Sequence, residues 1–284
     1  VHADNDVDVS SAVTIQDGTL TIVADSTCNS TGTLSVSGSI DTTNNVFWIQ
    51  AYDVVLTGGL TSGSSATHFV GCSGVSIDVG GNGLTSTGQM RLSQAELQLL
   101  TSRNLTFNAE SASIHVYETV SGDTANIADR VTFNAFANLA FYGSSVFKSI
   151  RGVAPKLNVS ADMKVTEGHM VLEATEYIVD SGVWVQSEVQ NIYVEPTSGG
   201  SGSIRSNTPV TWRSAGDLTF EVPMTVFGSG ALMFQSDSDD DAVGTLSFSS
   251  VAHVTVSSSA VQQVVLTGAD LILESNLVAV QANV

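Results

Sequence analysis

Asp217-Leu218-Thr219-Phe220-Glu221-Val222 puts Leu218, Phe220 and Val222 on one side of an extended backbone and Asp217, Thr219 and Glu221 on the other. A period of two is that of a strand buried on one face, since a helix would bring every third or fourth residue together. The same alternation recurs along the chain, in Gly18-Thr19-Leu20-Thr21-Ile22, Gly74-Val75-Ser76-Ile77-Asp78-Val79, Arg130-Val131-Thr132-Phe133, Asn191-Ile192-Tyr193-Val194 and Thr245-Leu246-Ser247-Phe248. Each phrase opens on a polar or small residue, most often Gly, Asn or Asp, continues apolar, polar, apolar, and leaves through a small or polar residue. Gly, Asn and Asp tolerate left-handed backbone, so they set the corners between short strands.

Inward positions recur at short range: Leu105 and Ile114 are nine residues apart, as are Val183 and Ile192, while Val264, Leu271 and Val278 are seven apart. Two or three strands of this size make a coil of roughly 20 to 40 residues, the range of solenoid repeats. The competing architecture is a pair of β-sandwiches. It requires tight hairpins, yet only Asp17-Gly18 and Asn82-Gly83 carry a strong two-residue hairpin signal. The expectation is therefore an all-β parallel β-helix, or β-solenoid, with irregular coils and loop excursions. It covers residues 1–284 as a single continuous domain, read as a segment of a longer chain or a stacking fibre unit. Ser93-Gln94-Ala95-Glu96-Leu97-Gln98-Leu99-Leu100 has the most helical appearance of any stretch, but Leu97 and Leu99 still alternate, and it is read as another strand.

Composition narrows the function. With 42% apolar residues the chain has enough for a substantial core, and 67 Ser and Thr against 13% charged residues make a surface of hydroxyls and backbone. The net charge of −19 repels phosphate backbones and anionic headgroups, which argues against nucleic acid and against a membrane surface. No apolar run reaches the length of a membrane helix, so membrane insertion is not expected. Cys28 and Cys72 fit either one disulfide or two free thiols.

The phrases Asn104-Leu105-Thr106-Phe107-Asn108-Ala109, Asp217-Leu218-Thr219-Phe220-Glu221 and Asp270-Leu271-Ile272-Leu273-Glu274-Ser275 resemble the repeats of filamentous-haemagglutinin-type adhesins. That resemblance implies a right-handed coil and a location outside the cell, on its surface or on an appendage. The corresponding role is a structural subunit of a filament or fibre, associating head-to-tail or with flanking domains. The alternatives are an adhesin that binds glycan or protein through a lateral face, and a polysaccharide-acting enzyme. The last is disfavoured, because the sequence shows no carboxylate cluster near an Arg or Lys, no nucleophile elbow, no phosphate loop and no zinc motif. No catalytic residue and no cofactor are assigned.

Three sets of residues carry further expectations. Asp237, Asp239, Asp240 and Asp241 offer hard oxygen ligands to calcium, though without EF-hand spacing; a solvated acidic loop is the simpler reading. Asn29, Asn104 and Asn158 head Asn-x-Ser/Thr sequons, about the number that chance gives in so Ser/Thr-rich a chain. Alternation also turns Trp48, Tyr52, Tyr117, Trp184 and Tyr193 outward, where aromatic rings stack on sugars or fill protein contacts, while Trp212 shares a face with Val210 and points inward. The five histidines are scattered and read as outward strand residues.

Overall fold

In the computed structural model, residues 1–81, 90–198, 201–257, 261–274 and 277–279 are described. The regular secondary structure is almost entirely strand, the strands pair in parallel with their neighbours, and the chain falls into two compact units, Val1–Leu139 and Ala140–Val284. Each unit is a stack of coils in which a strand pairs with its counterpart one coil away. This is the parallel β-helix that the alternation predicts.

In the first unit three columns of strands run through the stack. One joins Val7–Val9, Thr33–Val36 and Asp53–Leu56. A second joins Val13–Thr14, Ile40–Asp41, Leu60–Thr61 and the start of Leu100–Ala109. The third pairs Leu20 with Phe47, Phe47 with Thr67, Thr67 with Leu105 and Leu105 with Val131, so a coil takes between 20 and 38 residues. Inside the third column Phe69, Phe107 and Phe133 lie one above the other, with ring centroids 5.5 and 5.4 Å apart. Stacking is forced by register: an in-register parallel ladder sets like positions one strand spacing apart, about 4.8 Å, and flat rings fill that spacing face to face.

The second unit repeats the plan with coils of 20 to 28 residues, pairing Ile150 with Met170, Met170 with Ile192, Ile192 with Leu218, Leu218 with Leu246 and Leu246 with Leu271. Phe220 stacks on Phe248 at 5.2 Å, and Trp212 and Phe234 meet this pair edge-on at 5.2 to 5.3 Å. Trp212 is fully buried. Edge-to-face contact suits the ring quadrupoles where two columns converge.

The polar residue that opens each phrase has a mechanical role. Asn191 Oδ1 accepts the N–H of Asp217 at 3.0 Å, and Asp217 Oδ1 accepts the N–H of Thr245 at 2.9 Å. Short carboxamide and carboxylate side chains thus tie each corner to the next coil. Elsewhere the corners are too tight for any side chain: a Cβ on Gly58 would lie 1.4 Å from the carbonyl oxygen of Gly38.

Residues Gln94–Leu97 form a short helix, which corrects their reading as a strand. Ser93 and Glu96 make a reciprocal capping box, and this local satisfaction of the first N–H groups outweighs the weak Leu97/Leu99 alternation. Glu96 also reaches the next layer, where its Oε1 accepts the N–H of Leu56 at 3.0 Å. Close by, Asp53 Oδ1 accepts the N–H groups of Val54 and Arg91 at 2.9 and 3.0 Å. Burial raises the Asp53 carboxyl above its ordinary pKa, and these hydrogen bonds and the Arg91 charge partly restore its acidity. Two carboxylates therefore stitch a place where regular strand pairing lapses.

Cys28 and Cys72 are joined as a disulfide, with Cα atoms 5.2 Å apart. The strand Phe47–Ala51 lies between the two coils they follow, so the bridge clasps three layers. Asp25 prepares one end: its carboxylate accepts the N–H groups of Asn29 and Ser30 at 3.0 and 3.2 Å and holds Cys28 and Ser30 at positive φ. Because the bridge closes a 44-residue loop, replacing both cysteines by Ser is expected to cost about 2–4 kcal/mol. Urea unfolding of the oxidised protein against the double variant measures this directly.

Candidate functional site

The outward columns of the first unit carry its most developed surface feature. Thr21, Trp48, His68, Thr106 and Thr132 follow one another in register on the outer side of the third column. Trp48 is 38% exposed, and its indole lies flat on the His68 ring, with centroids 4.0 Å apart and planes within 9°. His68 Nδ1 is buried and has no hydrogen-bond partner among the described residues, and burial lowers the imidazole pKa from 6.5, which favours the neutral ring at pH 7. The other face of the indole looks over Thr21, which is too short to cover it. A depression of about 390 Å³ results, lined by Thr19, Thr21, Val23, Trp48, Ile49, Gln50 and Val70. None of these residues is ionisable.

The remaining outward aromatics are differently placed. Trp184 is 49% exposed, and its backbone N–H donates to Asp162 Oδ1 at 2.8 Å. Tyr193 is half-buried, its hydroxyl accepts from Asn191 Nδ2 at 2.6 Å, and its ring leans on His169. Tyr52 and Tyr117 are half-buried as well. Trp48, in the first unit, lies in a hollow with hydroxyl and amide neighbours.

Register also assembles groups that their spacing in the chain conceals. Asp78, fully buried, meets His115 Nδ1 at 2.9 Å and pairs in register with Arg91 on its other side. In the second unit Glu173 pairs with Glu195 one coil on, and Glu221 follows in the next coil, its N–H bonded to the carbonyl of Val194. Arg151 donates from Nε to Glu173 Oε1 at 2.6 Å. Carboxylates do therefore gather beside a cation, contrary to the reading of the linear sequence. Glu195 is pushed above its ordinary value of 4.5, first by burial and then by the charges of Glu221 and Glu173, with Arg151 opposing. Glu221 borders a second depression, of about 520 Å³, with Pro196, Pro223, Ser250 and His253.

Of the acidic loop, Asp237, Asp239 and Asp241 bring carboxylate oxygens within 4.8 Å of one another, and Asp240 lies outside that group. Three carboxylates need waters or carbonyls to reach the six to eight oxygens calcium takes. Among the sequon residues Asn29 lies in the exposed loop beside the disulfide and accepts a hydrogen bond from the Thr31 hydroxyl. Asn104 and Asn158 sit half-buried within paired strands. Comparison with known protein families, with curated proteins and with solved structures finds no match to this chain.

The Glu195 carboxyl gives a pH test. A raised pKa in the folded state means that its proton favours folding; the contribution is complete below pH 4.5 and lost as pH rises through the folded value. Glu195→Gln is thus expected to raise Tm by about 1 °C at pH 7, with the difference vanishing near pH 3. Parallel thermal melts of the two proteins across that range provide the check.

Proposed function

We propose that this chain is a structural element of an extracellular fibre or surface appendage, lengthened by adding coil upon coil. The observation that carries this reading is the in-register stack itself, in which Leu218 pairs with Ile192 on one side and with Leu246 on the other. In the column Leu218, Leu246, Leu271 the first two residues are fully buried, whereas Leu271 is 50% exposed; Phe220 and Phe248 are buried, whereas Leu273, next in register, is 44% exposed. Among the described residues the strand Asp270–Leu273 pairs on one edge only, with Thr245–Phe248. An uncovered parallel strand with apolar inward residues is a template for a further strand. The next coil comes either from a second copy or from further chain. The disulfide and the exposed Asn29 sequon suit an extracellular setting, and the likeness of the repeat phrases to filamentous adhesins points the same way.

A second reading, an adhesin that holds glycan on a lateral face, draws its support from the exposed rings of Trp48 and Trp184.

Electron microscopy over a concentration series tests the fibre reading. End-to-end multimers or filaments that lengthen with concentration, with an axial rise near 4.8 Å per coil, are the expected result. Single particles at every concentration would overturn growth by addition of copies and leave further chain as the source of the next coil. Leu271→Lys together with Leu273→Lys should abolish lengthening, because two charges would be stranded in the new junction.

A further inference from the structure

We propose that the hollow beside Trp48 is a binding subsite for one neutral pyranose ring, with the open face of the indole as its stacking platform and Thr19, Thr21 and Gln50 as its polar rim. The proposal rests on the adhesin reading and names its site and its ligand class.

Three observations converge on this ligand. The first is the platform. Trp48 is backed on one face by His68 at 4.0 Å and near-parallel, so the indole is fixed before any ligand arrives. A ring held in its binding orientation saves the ordering cost that a free surface tryptophan would incur on binding. The second is the shape. The register pairs Trp48 with Thr21, a large side chain against a small one, and the step between them leaves about 390 Å³ open, within the usual range of small-molecule sites. Val23 and Val70 are almost fully covered and give the hollow an apolar floor.

The third is the chemistry of the rim. Two hydroxyls and one carboxamide, whose Nε2 already donates to Cys28 Sγ at 3.6 Å, offer donors and acceptors, and the lining contains no acid, lysine or arginine. His68, behind the indole, leans to its neutral form. A sugar ring combines a face of C–H groups, which stacks on an aromatic surface, with an edge of hydroxyls that such a rim can bond. A uronate or sulfated sugar would find no side-chain cation in the lining, where the one charge at hand is the Val1 ammonium that donates to the Thr21 carbonyl oxygen at 2.8 Å, and it would approach a chain of net charge −19. A proline ring would satisfy the platform but offer the rim hydroxyls nothing to bond.

The test follows the indole N–H signals of the three tryptophans by proton–nitrogen NMR during titration with methyl glucoside, methyl galactoside and methyl N-acetylglucosaminide, with glucuronate and a proline-rich peptide alongside. A saturable shift of the Trp48 signal with at least one neutral glycoside, and the buried Trp212 signal unmoved, is the expected result. Trp48→Ala should weaken binding at least about tenfold, the scale of losing one stacked ring, while Trp184→Ala leaves it unchanged. Thr21→Phe should block the same binding by filling the hollow with Trp48 intact, which guards against misfolding of the Trp48 variant. A shift of Trp184 with Trp48 silent would overturn this site and leave the adhesin reading standing. Silence of all three indoles across the panel would overturn both. A stronger response to glucuronate or to the peptide than to any neutral sugar would overturn the assignment of ligand class.

Discussion

In-register backbone pairing between successive coils is the constraint from which the rest of this structure follows. Each inward strand residue faces its counterpart one coil away, 20 to 28 residues distant in the second unit, at the strand spacing of about 4.8 Å. Side chains that gain from close parallel contact accumulate in columns: Phe69 on Phe107 on Phe133, and Phe220 on Phe248. Charges obey the same geometry with the opposite preference. Lys156 stands over Glu176, and Lys164 contacts Glu188 at 2.5 Å, so cation and anion alternate where they can. Glu173, Glu195 and Glu221 are the exception, with one arginine beside the first of them.

The strands themselves were legible because a half-buried strand writes its period into every second residue. Leu218, Phe220, Ile192 and Val194 are buried and Thr219 and Tyr193 are turned outward, as alternation requires. What alternation does not encode is the distance along the chain between stacked residues. Coil length varies with each loop excursion, from 20 residues between Phe47 and Thr67 to 38 between Thr67 and Leu105. The meeting of Asp78 with His115, and of Glu173 with Glu195, depends on those lengths and leaves no local signature. The helix at Gln94–Leu97 had one in Ser93 and Glu96, which outweighed a two-residue alternation. Trp48 was readable as an outward ring; the hollow beneath it was not, since that depends on Thr21 being its register partner.

A solenoid built this way separates two kinds of function. Growth, on the proposed fibre reading, would use the edges of the stack, where Leu271 and Leu273 are exposed. Recognition depends on the sides, where the outward residues of successive strands compose a surface independent of the core. The Trp48 hollow lies on such a side, so its chemistry can change without disturbing the Phe columns within.

The register itself is open to direct measurement in the protonated, isotopically labelled protein, through nuclear Overhauser contacts between backbone amide and Cα protons. The account predicts cross-strand contacts around the pairs Phe107 with Phe133 and Leu218 with Leu246, with the spacing pattern of parallel strands. Antiparallel contacts between neighbouring segments, such as those flanking Asp17-Gly18, would contradict it and return the chain to a sandwich of hairpins.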